Sequence, residues 1–170
     1  RGKAARNDLF RLPVDRAFTV KGTGTVITGT VWTGVLTLEE SVRVLPGGAV
    51  ARPRGLQNHG ETVTRITPGM RAAVALAGVE TTAVARGSTL VTDPAWSESL
   101  VLRADFTTLP EAPELRPRTR VRLHLGTSDV GARVVGVGGP VRAGSQRPVR
   151  ILADPLVVGR GGDRFGFRSA

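Results

Sequence analysis

The chain has no cysteine and no tyrosine, one methionine, an aromatic content of 4% and only two lysines, Lys3 and Lys21. Without cysteine there are no disulfides, no thiolate catalysis and no cysteine-ligated metal, a usage that fits a cytoplasmic protein. Without tyrosine, and with few other rings, a base-stacking platform for single-stranded RNA is disfavoured. No apolar run is long enough to cross a membrane and no charged-then-apolar secretory signal opens the chain, so no membrane partner is expected. Apolar residues at helical spacing are missing as well. With 22 glycines and 11 prolines among 170 residues, the pattern is that of many short strands joined by turns.

Several chemistries are missing from the residues too. A phosphate-binding loop of the form GxxxxGK[ST] needs a lysine followed by serine or threonine, and neither lysine has one. Asp163-Arg-Phe-Gly166 fits DxxG only by chance of composition. The two histidines, His59 and His124, have no carboxylates at ligand spacing, so no metal site is expected. No GxSxG nucleophile elbow occurs, and no catalytic residue is assigned.

What the chain does have is positive charge: +10 at neutral pH and a pI near 11.7, nearly all of it arginine. That balance points to a polyanionic partner, and arginine suits planar, bidentate contacts with phosphate or carboxylate. Strand-like runs fall at Phe10–Val20, Thr25–Val31, Ser41–Val44, Val50–Leu56, Arg71–Ala77 and Ser88–Val91. Six at this spacing suit a small closed barrel. Residues 93–98 read as a junction, after which Leu100–Phe106, Thr119–Leu125, Ala132–Val137, Pro148–Leu152 and Asp163–Arg168 form a second set. The fold class is all-β, with two tandem small β-barrels: a connector over residues 1–8, one barrel over 9–95 and another over 96–170. In Thr119–Leu125 the alternation is clean, with Arg120, Arg122 and His124 as a solvated stripe.

One feature resists a purely structural account. Asp15-Arg16 sits inside the first strand-like run, just before Phe18, and charges rarely occupy such a place without a partner. The surrounding Leu12-Pro-Val-Asp-Arg-Ala-Phe-Thr-Val-Lys-Gly-Thr-Gly-Thr-Val-Ile-Thr-Gly29 resembles the opening of the second domain of translational GTPases of the elongation factor Tu group. Gly55-Leu-Gln57, Thr67-Pro-Gly-Met-Arg71, Leu76-Ala-Gly-Val79 and Val84-Ala-Arg-Gly87 follow in the same order. Leu125-Gly-Thr-Ser-Asp-Val130 and Arg160-Gly-Gly-Asp-Arg-Phe-Gly-Phe-Arg-Ser169 resemble the third domain.

Within that group the pocket positions resemble the selenocysteine-specific branch. The resemblance implies a selenocysteine-binding set of Asp15, Arg16, Phe18 and Arg71, where the general factor carries acidic residues in place of Asp15 and Arg16 and an amide in place of Arg71. It implies tRNA contacts by Gln57, His59, Thr127 and Ser128. It further implies a GTPase domain ahead of Arg1, holding GTP and Mg, and winged-helix domains beyond Ala170, with selenocysteinyl-tRNA and the ribosome as partners at recoded UGA codons. No cofactor is expected in this segment. A selenol is more acidic than a thiol, whose reference pKa is about 8.5, so paired guanidinium groups would favour selenolate over a neutral serine. Two alternatives stay open: the same segment of another factor in the group, or a basic RNA-binding scaffold with no aminoacyl pocket.

Overall fold

The structure, a computed structural model, describes residues 9–169; the connector expected over residues 1–8 lies outside them. Among the described residues fourteen strands form: β1 (Arg11–Val20), β2 (Gly24–Thr30), β3 (Leu36–Thr37), β4 (Val42–Leu45), β5 (Ala49–Asn58), β6 (Glu61–Thr62), β7 (Arg65–Ile66), β8 (Arg71–Ala77), β9 (Thr89–Val91), β10 (Glu98–Thr107), β11 (Thr119–Leu125), β12 (Ser128–Gly136), β13 (Gln146–Val158) and β14 (Phe165–Ser169). The chain divides into two units between Ser97 and Glu98, two residues beyond the boundary expected at 95/96. Trp96 accounts for the difference, because it is buried against Arg11 of the first unit.

The first unit is a closed ring. Its ladder runs β4-β9-β1-β2-β8-β5, and β5 pairs back onto β4. β-branched residues favour β2 as a strand. In β8 the alternation puts Ala72, Val74 and Leu76 inward and leaves Ala73 and Ala75 on the outer face. Phe10, Leu12, Val14, Ile27, Leu56, Ile66 and Leu90 fill the interior. The turn expected at Lys21–Gly24 is present, with Gly22 at φ 81 and Gly24 at φ 91, values that glycine adopts without a steric penalty.

Two β-bulges break the regularity of this ring. In β1, Val14 faces Gly29 of β2 while Arg16 faces Thr28, so Asp15 is an extra residue. In β5, Pro53 faces Leu76 of β8 while Gly55 faces Ala75, so Arg54 is extra. An extra residue reverses the inside–outside alternation downstream of it. In β1, Leu12 and Val14 point inward; unbroken alternation would send Arg16 and Phe18 inward too, but the bulge turns them outward. In β5 the same reversal buries Leu56 and exposes Gln57.

Gly29 makes the first bulge possible. A Cβ at that position would lie 2.2 Å from the Pro13 carbonyl oxygen and 2.5 Å from a Leu12 methyl. Gly29→Ala is therefore expected to destabilise the first unit by about 3 kcal/mol, read as a lower urea midpoint by circular dichroism. Gly55→Ala, whose new methyl would meet Ala75 Cβ at 3.7 Å, should be much milder.

Arg11 is buried between the two tryptophans, its Cζ 4.8 Å from the ring centres of Trp32 and Trp96. Arg43 Nη2 donates to the carbonyls of Asp93 (2.9 Å) and Trp96 (3.1 Å). Together they fasten residues 93–96 to the ring.

The second unit is a five-stranded sheet, β10-β13-β12-β11-β14, whose ladder among the described residues curls as a half-barrel without closing. Its inner face carries Val121, Leu123, Val134, Val149 and Ile151, packed against Phe106, Phe165 and Phe167. β13 runs well past the expected Pro148–Leu152, and β14 begins at Phe165 because Asp163 instead accepts from the Arg160 N–H in a turn, at 2.9 Å. β3, β6 and β7, each two residues long, went unseen in the sequence because so short a strand has no periodicity to read.

Candidate functional site

The two bulges act on one outer face of the first unit. Directly paired residues in an antiparallel sheet share a face, and the register sets Arg16, Thr28, Ala73, Gln57 and Thr62 in one row. Phe18, Val26, Ala75 and Gly55 form the next. Small residues in the middle of both rows make a floor, and the larger side chains at either end stand as walls.

The resulting cleft has a volume of about 300 Å³ and brings together Arg16, Phe18, Arg71, Gln57 and His59. A second hollow of about 440 Å³ adjoins it on the other side of Phe18 and Gln57, lined by Val20, Val26, Leu56, Ala75, Thr62 and Arg54. A flat basic surface, the mark of a plain RNA-binding scaffold, is not what borders Phe18.

Asp15 does not line the cleft itself. Its Oδ2 accepts a hydrogen bond from Arg71 Nη1 and closes an ion pair with it. Arg71 remains half exposed, at 50%, so the pair contributes at most about 1 kcal/mol to stability. Its value lies in orientation: a guanidinium has five N–H donors, and one tied to Asp15 leaves the others for a ligand. Arg16 is exposed and forms no ion pair with any described residue. His59 and Gly60 are the central residues of the two-residue turn joining β5 and β6, at φ 51 and φ 85, the sign pattern of a type I′ hairpin turn. This turn sets the histidine at the rim. Thr28, beneath Arg16, has a buried hydroxyl with no hydrogen-bond partner among the described residues.

Thr127 and Ser128 belong to the second unit, at the turn between β11 and β12. Thr127 Oγ1 is buried and without a hydrogen-bond partner, so this hydroxyl is not presented to a phosphate in this structure. The basic feature of that unit lies elsewhere. Arg120 faces Arg133 across β11 and β12, Arg122 faces Arg168 across β11 and β14, and Arg103 faces Arg150 across β10 and β13. All six alternate with inward-facing core residues, so they share the outer face. Like charges placed directly opposite each other are destabilising, and among the described residues Asp105, Asp129 and Asp154 answer them on that face. Arg122 donates to the Asp129 carboxylate at 2.8 Å. This hydrogen bond holds the Asp129 carboxyl below the usual carboxylate range, with the charges of Arg122, His124 and Arg168 acting in the same sense and desolvation opposing them.

The sequence alone shows only the Arg120–Arg122–His124 stripe; the partners across the sheet lie 13 or more positions away in the chain and become neighbours only through the register. The signal available beforehand was the excess of arginine alone. Ala73, Ala75, Thr28 and Gly55 were also missed as site residues, since small residues in strands read as core.

Residues 24–91 match the family model described as elongation factor Tu domain 2. The chain is 42% identical over 130 residues to a selenocysteine-specific elongation factor of Desulfomicrobium baculatum, an alignment covering 76% of this chain and 20% of that protein. An elongation factor 1-alpha of Pyrobaculum islandicum is 30% identical over 129 residues, covering 74% of this chain and 29% of that protein. The crystal structure of a bacterial selenocysteine-specific elongation factor superposes with a TM-score of 0.83 at 26% identity, over 100% of this chain and 27% of that one. The chain thus spans between a fifth and a third of the length of these proteins.

Proposed function

We propose, from the premise that residues 24–91 are an elongation factor Tu domain 2 in a chain homologous to selenocysteine-specific elongation factors, that this segment binds the aminoacylated end of selenocysteinyl-tRNA. The observation that carries the reading is the convergence of Arg16 and Arg71 on one cleft beside Phe18. A cleft with two cationic forks and no carboxylate on its lining is matched by an anionic side chain. Selenocysteine is ionised near neutral pH, whereas serine is neutral and leaves the guanidinium groups without a partner. The adjoining hollow, apolar with Gln57 and Thr62 at its edge, suits the terminal nucleoside; Phe18 and Gln57 stand where the two regions meet, and His59 lines the smaller cleft.

In the second unit the arginine face fits the backbone of an RNA duplex, whose phosphates relieve the repulsion between opposed arginines. In the whole factor, the cytoplasmic protein would deliver this tRNA to the ribosome at recoded UGA codons, with GTP and Mg on its GTPase domain.

The test uses the full-length protein with tRNA charged with selenocysteine, cysteine or serine. Tight binding of the first, with cysteine and serine in falling order, is the expected result; equal affinity for all three would overturn the reading. Arg120→Ala together with Arg133→Ala should weaken binding of every charged tRNA alike and lower the slope of log affinity against log salt by roughly 1.8. Preference among the aminoacyl groups should be untouched.

A further inference from the structure

Arg54 has no place in the aminoacyl cleft, yet the fold goes out of its way to present it. It is the extra residue of the β5 bulge, facing no residue of β8. Its side chain is exposed and forms no ion pair with any described residue. It borders the hollow of about 440 Å³, and it is the one charged residue on that lining; the rest of the wall includes Phe18, Val20, Val26, Leu56 and Ala75, with Gln57 and Thr62 at the edge. The two bulges therefore present arginines to neighbouring hollows on one face: Arg16 to the smaller, with Arg71, and Arg54 alone to the larger.

We infer that Arg54 binds a backbone phosphate of the single-stranded RNA end, beside the nucleoside that occupies the larger hollow. An apolar slot with a single cation at its border is complementary to a flat heterocycle carrying one anionic group on a short tether, which is the chemistry of a nucleotide. A lone guanidinium can meet a phosphate with two parallel N–H donors. This inference rests on the proposed binding of a charged tRNA end. It assigns a different duty to a different residue: Arg16 and Arg71 read the aminoacyl group, and Arg54 grips the backbone whatever the aminoacyl group is.

The experiment measures affinity of the full-length protein for selenocysteinyl-tRNA and seryl-tRNA over a range of salt concentrations. Arg54→Gln should weaken both about tenfold, by equal factors, and reduce the salt slope by about 0.7, the share of one single-stranded phosphate contact. Arg54→Lys, which keeps the charge but not the fork, should retain the slope. An unchanged slope in Arg54→Gln overturns the inference, as does a loss confined to one aminoacyl group or a slope lost equally in Arg54→Lys. The two readings fail separately. If the unaltered protein shows no preference for selenocysteine while Arg54→Gln still lowers the slope, the cleft assignment falls and the phosphate contact stands.

Discussion

Arg71→Ala and Arg16→Ala are each expected to erase most of the preference for selenocysteinyl-tRNA over seryl-tRNA, while affinity for the tRNA body survives. Charge-assisted hydrogen bonds contribute about 1.5–3 kcal/mol apiece. Two of them correspond to a preference on the order of 10³-fold, so losing either should cost roughly 10- to 100-fold in discrimination. The two variants should differ in one respect. Arg71 is already tied to Asp15, so Arg71→Ala also leaves that carboxylate, itself only 22% exposed, beside the site as an unopposed negative charge. It should discriminate worse than Arg16→Ala. Asp15→Asn should lie between the unaltered protein and both arginine variants, because the fork stays but its orientation loosens. Cysteinyl-tRNA supplies an independent check. Its thiol ionises with a reference pKa of about 8.5, so its affinity should climb as pH rises through that value in the unaltered protein and stay flat in a variant carrying both Arg16→Ala and Arg71→Ala. Flat behaviour in both proteins would mean that the cleft does not read side-chain charge.

Deleting Asp15 should do what no substitution there does: remove the bulge and leave the cleft facing outward. The β1 bulge holds one residue more than its partner strand, and removing it restores simple alternation. Counted from Leu12 and Val14 in the shortened strand, Ala17 takes the next inward place, and Arg16 and Phe18 stay on the outer face. The first unit is therefore expected to stay folded, losing the half-exposed ion pair with Arg71, about 1 kcal/mol or less, and the local twist that a bulge adds. Asp15→Ala keeps the residue count and forfeits only the ion pair. Comparing urea midpoints of the two variants separates the value of the bulge from that of the side chain. A deletion variant that unfolds while Asp15→Ala stays folded would overturn this expectation.

The same bulges mark how far the sequence could be read. β2 was legible through its β-branched residues and β11 through its strict alternation, and the expected Arg71–Ala77 and Thr119–Leu125 coincide with the observed strands. The identities of Arg16, Phe18, Arg71, Gln57 and His59 were legible through a motif, but the motif does not say which way a side chain points. Counted by twos from Leu12, both Arg16 and Phe18 fall on the core side, and Gln57 does so counted from Ala51. Only the shifted pairing at Asp15 and Arg54 corrects that count. The arginine face of the second unit was illegible for a related reason: its opposed pairs come from β10, β11, β12, β13 and β14, and the register between strands leaves no trace within any one strand.

The chain's two tryptophans flank a single buried guanidinium, that of Arg11, and there is no tyrosine anywhere. Intrinsic fluorescence is therefore a local gauge: its wavelength and intensity follow the water around one cation in the first unit. The second unit, with phenylalanine as its only aromatic residue, is optically dark at tryptophan excitation. A fluorescence titration with denaturant thus isolates one half of the molecule without any label, and a far-ultraviolet signal that outlasts it belongs to the other half.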